Sequence, residues 1–267
     1  MKNYNSYYYL LCMLLIMGAF ASMAQNSYGL KIMGFVSFSF CLLFLIQLIS
    51  AIRKNGKIDF GQIAELSGLT ILSLILGLRV FFIHFAFVEI LFFLSGAVLV
   101  VVFGLKMLQS YRNLKIESPG LAGLVAIFYC SILLFILSMI TVPFLSGVGQ
   151  PLGALAFILL IIFLSISFFK GSFLLQGEKV TPLEIIGKPN DRSPLLASLF
   201  FLFSLYLGLT MVGVLPGMYS DEFPKAYFEL VNEAETGKED PVDRKYRHEV
   251  FKEKYDQFLN NHKSRNK

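Results

Sequence analysis

The chain has 267 residues, 56% of them hydrophobic and only 15% charged, with three histidines, three cysteines and a formal net charge of +5. Its mean hydropathy is +0.67, whereas a soluble domain carries about 25% charged residues. The charges are also segregated: residues 1–216 hold 13 Lys/Arg and 7 Asp/Glu, while 217–267 hold 10 and 11. A nucleic-acid binder would gather its basic excess on a hydrated folded surface; here the excess lies in the apolar part, so nucleic acid is not an expected partner.

Crossing a bilayer takes about 20 mostly apolar residues as a helix, and lipid leaves exposed backbone N–H and C=O groups without partners, which forces helix over open strand. Spans are expected at about 8–24, 32–52, 66–84, 87–108, 120–143, 152–169 and 195–215. The implied fold is all-α, a polytopic transmembrane bundle of six spans over 25–216, or seven with segment 1–24 retained, and a short two-helix extramembrane tail over 217–267.

Segment 1–24 reads in two ways. A lysine, an apolar run and Ser22-Met23-Ala24 resemble a cleavable signal peptide, yet a leading region with one lysine and four tyrosines suits a retained anchor slightly better. Further along, Ser118-Pro119, Gln150-Pro151 and Ser193-Pro194 place proline at the first helical position, where its missing N–H is harmless. Ser118 and Ser193 are suited to N-caps. Leu215-Pro216-Gly217 is a stop signal for the last span.

Lys and Arg fix an expected orientation. With a cytoplasmic N-terminus, inside positions collect Lys2, Arg53, Lys54, Lys57, Lys106, Arg112, Lys115, Lys170, Lys179, Lys188 and Arg192, against Lys31 and Arg79 outside. That bias is the positive-inside signature. It points to a multi-pass protein of the bacterial inner membrane with its C-terminus extracytoplasmic.

Polar residues inside apolar runs are the candidates for function, because ionisable groups are costly in hydrocarbon. The stretch 76–91 carries Arg79, His84 and Glu89. On one continuous helix they would point about 140° apart, and a single helix over 66–108 would measure about 65 Å, twice the bilayer core. A hairpin turn near Phe82–Phe85 resolves both difficulties and lets Arg79 and Glu89 pair across it, with His84 at the external interface. Gln47 in the second span is expected to make an interhelical hydrogen bond or to line a route. Serines 37, 39, 73, 131, 138, 165 and 167 read as packing residues, and Gly96, Gly104, Gly123 and Gly153 as places of close helix approach.

Cys12, Cys41 and Cys130 fall on three different spans, two of the three histidines lie in the tail, and nothing has metal-ligand spacing, so no cofactor and no metal are expected. Nucleotide-binding and hydrolase motifs are missing as well. Loop 170–194 reads as a polar connector whose "VTPLEII" could lie along the inner membrane surface or bind a partner.

In the tail, Phe223, Ala226, Tyr227, Leu230 and Val231 have helical spacing. Asp240-Pro241 opens a second helix with Phe251, Tyr255, Phe258 and Leu259 on one face. Two such helices cannot bury a core alone; they must pack on each other, on the external membrane surface or on another protein, and in the last case Tyr227, Leu230, Phe251, Tyr255, Phe258 and Leu259 form the expected partner-binding stripe. Three functions fit: first, a non-catalytic membrane subunit or scaffold that docks a protein partner through this tail; second, a transporter or channel component for a small or amphiphilic solute; third, an intramembrane enzyme using Arg79, His84 and Glu89 at the external interface.

Overall fold

The computed structural model describes residues 4–24, 28–53, 59–81, 83, 87–142, 145–175, 178–187, 191–212 and 214–215. Seven helices within it are long and apolar enough to cross a membrane. They are α1 (Asn5–Met23), α2 (Tyr28–Arg53), α3 (Phe60–Val80), α4 (Val88–Lys115), α5 (Pro119–Thr141), α6 (Ser146–Lys170) and, after a short α7 (Pro182–Ile186), α8 (Ser193–Met211). A two-stranded hairpin, β1 (Phe173–Leu175) and β2 (Glu178–Val180), precedes α7, with Phe173 opposite Val180.

The chain is therefore a multi-pass helical membrane protein. Its outward faces are apolar: Leu42, Val101, Ile158 and Phe203 are all exposed. In water such a continuous apolar surface would drive association; in lipid it is the solvated face. The expected tail helices, with Tyr227, Leu230, Phe251, Tyr255, Phe258 and Leu259, lie outside the described residues, as does His84.

Consecutive spans pack chiefly on one another from α1 through α6, and α8 rests lightly on α5 and α6. The core runs along these seams, with Leu66, Leu99, Phe103, Leu121 and Phe163 almost completely enclosed. Close approach needs small residues at two of the four expected glycines. A Cβ on Gly96 would collide with Ile140 of α5, and one on Gly153 would lie 2.8 Å from the Ser138 hydroxyl. Gly104 and Gly123 face open space instead, so they permit no close approach within this chain.

Several boundaries differ from the sequence expectation. Asp59 caps α3, its carboxylate accepting from the Gln62 N–H at 3.2 Å, so the helix starts six residues before 66 and encloses Glu65. α6 starts at Ser146, which places Pro151 inside it rather than at its first position. Ser193 is the first residue of α8, not its cap, and Ser118 occupies the N-cap of α5 without a side-chain capping bond.

The turn between α3 and α4 falls within 81–87, as the length argument requires. With no glycine available, Phe87 takes the left-handed conformation at φ 70°, a strained choice for a bulky residue.

Loop 170–194 is more than a connector. Thr181 and Glu184 form a reciprocal capping box around Pro182, with Glu184 N–H to Thr181 Oγ1 at 3.3 Å and Thr181 N–H to Glu184 Oε2 at 2.9 Å. Pro182 and Ile186 are buried, Phe173 is buried beside Gly120 of α5, and among the described apolar side chains of the loop only Leu183 and Leu174 are exposed. "VTPLEII" therefore packs against the protein's own core with its buried side.

Candidate functional site

The helix ends at which α1, α3, α5 and α8 begin and α2, α4 and α6 finish hold an ionic network that draws on six of the seven spans. At its centre is Glu65 of α3, 1% exposed. Its Oε2 lies 2.9 Å from Lys106 Nζ of α4 and 3.5 Å from Nη1 of Arg192, the residue before α8. Arg192, 3% exposed, also donates from Nε and Nη2 to Gln47 Oε1 of α2 at 3.3 and 3.0 Å. The Tyr8 hydroxyl of α1 lies 2.8 Å from Gln47 Nε2 and 3.0 Å from its Oε1.

Asp191 completes the set. Its Oδ1 accepts from Lys106 Nζ at 3.1 Å, from the Ser193 N–H at 3.1 Å and from the Ser193 hydroxyl at 2.7 Å; its Oδ2 accepts from the Tyr129 hydroxyl of α5 at 3.3 Å. Burial alone would push the Asp191 carboxyl up. The Lys106 ammonium and the two Ser193 hydrogen bonds outweigh it and hold the carboxyl below its ordinary value.

Two acids and two bases thus cancel in one buried place. Desolvating an ion costs several kcal/mol and is offset only when partners and further hydrogen bonds surround it, and here each charged group has at least two partners. One atom is the exception: Glu65 Oε1 is buried and has no hydrogen-bond partner. Among the described residues no group of three His, Cys, Asp or Glu could hold a metal.

The residues singled out in the sequence fare differently. Gln47 belongs to the network and makes the interhelical bonds expected of it. Arg79 and Glu89 form no ion pair. The Arg79 guanidinium instead lies over the Phe92 ring, 5.0 Å from its centroid, while Glu89 is exposed in the first turn of α4. An acid there complements the positive end of the helix dipole, which gives Glu89 a local role without Arg79. The serines are mostly packing residues as expected, with Ser37 and Ser138 bonding across helix pairs to Ser73 and Gly149 carbonyls at 2.8 and 2.7 Å.

Glu65, Lys106, Asp191 and Arg192 were missed as a site because each reads as a loop or helix-end charge. Two signals pointed to them. Glu65 is flanked by Ile63, Ala64 and Leu66 after a capping Asp59, and Lys106 falls inside the apolar run 87–108. Neither signal names the partners: Asp191 lies 85 positions from Lys106, and Arg192 lies further still from Glu65.

Taken together, fold and site define a polytopic helical membrane protein whose interior charges neutralise one another at one end of the bundle. Comparison with protein-family models, with curated proteins and with solved structures found no match.

Proposed function

We propose that the protein is a non-catalytic integral membrane subunit that holds a fixed bundle in the membrane and offers its C-terminal tail to a protein partner. The observation that carries this reading is the mutual neutralisation of Glu65, Lys106, Asp191 and Arg192. Charges arranged in this way fasten helices together, which suits a structural unit better than a solute pathway.

The orientation proposed with it puts the network end in the cytoplasm of a bacterial inner-membrane protein and the tail outside. Lys106 and Arg192 are engaged inside the protein, yet nine basic residues still favour that side against Lys31 and Arg79. Retention of α1 accords with Tyr8 serving the network, because cleavage after Ala24 would remove it.

The test is a gentle-detergent purification of the full chain beside one ending at Gly217 and one carrying Phe251→Glu with Tyr255→Glu, each examined by mass spectrometry. The expected result is a stoichiometric partner with the full chain alone. Isolation of all three without a partner would sink the proposal.

A second reading, a transport component, draws on Gln47 lying within the charged set and on the unpartnered Glu65 Oε1. It requires that Gln47→Leu abolish solute flux in proteoliposomes while the protein stays folded. The enzyme reading needs Arg79, His84 and Glu89 to converge; Arg79 lies over the Phe92 ring, and His84 is outside the described residues.

A further inference from the structure

α8 is fastened to the rest of the molecule in an unusual way. Its packing on α5 and α6 is light, and much of its length faces outward, with Phe203, Leu205 and Leu207 exposed. Polar bonds to α2, α3, α4 and α5 come from the two residues just before the helix. Arg192 engages Gln47 of α2 and Glu65 of α3; Asp191 engages Lys106 of α4 and Tyr129 of α5. Asp191 also grips the first residue of α8 through both the N–H and the hydroxyl of Ser193, so the carboxylate and the helix start move together.

We propose that the Asp191–Arg192 dipeptide is a latch: it sets the position of α8 against α2–α4, and its release lets α8 move as a unit while α1–α6 keep their packing. The physical basis is an inequality between two kinds of contact. Within α1–α6 each helix is held by long apolar seams that do not depend on the network. Helix association in lipid rests on van der Waals packing and interhelical polar bonds; α8 has less of the first than α1–α6, so the ion pairs are a larger share of what holds it.

The chain continues from the opposite end of α8, so a change at the latch would be conveyed to the other membrane face. This is two-state behaviour of a rigid element biased by local charge. The inference does not depend on the tail having a partner.

The experiment uses the full chain in nanodiscs with Cys12, Cys41 and Cys130 replaced by alanine and spin labels at exposed sites. One pair, Leu42→Cys with Phe203→Cys, reports α2 to α8; a control pair, Leu42→Cys with Val101→Cys, reports α2 to α4. All three positions are exposed. Distances are measured by pulsed electron resonance with the latch intact and with Asp191→Asn plus Arg192→Gln. The expected result is a new or broadened distance population for the α8 pair and an unchanged one for the control. Unchanged α8 distances in the latch variant would overturn the proposal. Equal broadening of both pairs would overturn it too, since the network would then hold the whole bundle rather than one helix.

Discussion

The two ends of this bundle treat charge in opposite ways. At the Glu65 end, four ionisable groups from segments far apart in sequence meet, Glu65 and Arg192 buried and Lys106 and Asp191 partly so, with tyrosine, glutamine and serine around them. At the Arg79 end, two opposite charges only ten positions apart do not meet: Arg79 lies on an aromatic ring and Glu89 is exposed at a helix start. Nearness in sequence thus says little about pairing in a helical bundle. An interfacial arginine can reach headgroups by extending its side chain and a first-turn glutamate is answered by the helix dipole, so neither needs the other. Glu65 and Arg192 have no such escape, and for them pairing is obligatory.

That difference is testable by substitution. The largest effect is expected for Glu65→Leu, which, among the described residues, strips Arg192 of its only ion-pair partner and Lys106 of one of two. Removing one member of a buried set costs about 3–5 kcal/mol, read as a fall in the fraction that stays monodisperse on heating in detergent. The double change Glu65→Leu with Arg192→Leu should be less harmful than Glu65→Leu alone, because it removes both charges and leaves the Lys106–Asp191 pair intact. If it is worse, the charges do not neutralise one another as described.

Next in size is the acid sensitivity of Asp191. Its carboxyl is depressed, despite the burial that would raise it, by Lys106 and Ser193. A depressed carboxyl contributes stability that is fully present above its unfolded value and is lost as pH falls through the folded one. The stability gap between the native protein and Asp191→Asn should therefore be full above the ordinary carboxylate range, shrink as pH falls through it and close only below it. A gap that closes near neutral pH would contradict the Lys106 and Ser193 interactions.

Tyr8→Phe should cost about 0.6 kcal/mol and not more than about 1.7, the range for interhelical hydrogen bonds in membranes, and the same thermal assay measures it. Smallest of all are the changes at the other end. Arg79→Leu should lose about 0.5–1 kcal/mol of cation–π contact. Combined with Glu89→Gln, its effect should simply add, since the two do not touch. A coupling above about 0.5 kcal/mol in that cycle would restore the ion pair and erase the contrast between the two ends.

Much of the architecture was legible in the residues. Apolar runs of bilayer length, the proline boundaries at Ser118-Pro119 and Ser193-Pro194, and the need for a turn within 81–87 all follow from helix length and backbone satisfaction. The site was legible only in part. Gln47 stood out because it interrupts an unbroken apolar run. Glu65 did not, because the capping Asp59 that pulls it into α3 is itself a charged residue in a polar segment. The folding of 173–186 against α5 was hidden because an apolar-acidic mixture such as "VTPLEII" fits a buried turn as well as an interfacial one.

The sequence by itself determined that this protein crosses the membrane repeatedly as helices, and roughly where. Each such helix satisfies its own backbone within a single segment, so its existence depends on local residues and length alone. Only the tertiary structure decided which charges are partners and that Asp191–Arg192 fastens α8 to the earlier spans. Those choices depend on which helix faces lie together, a relation between segments up to 145 positions apart that the periodicity of any one segment does not contain.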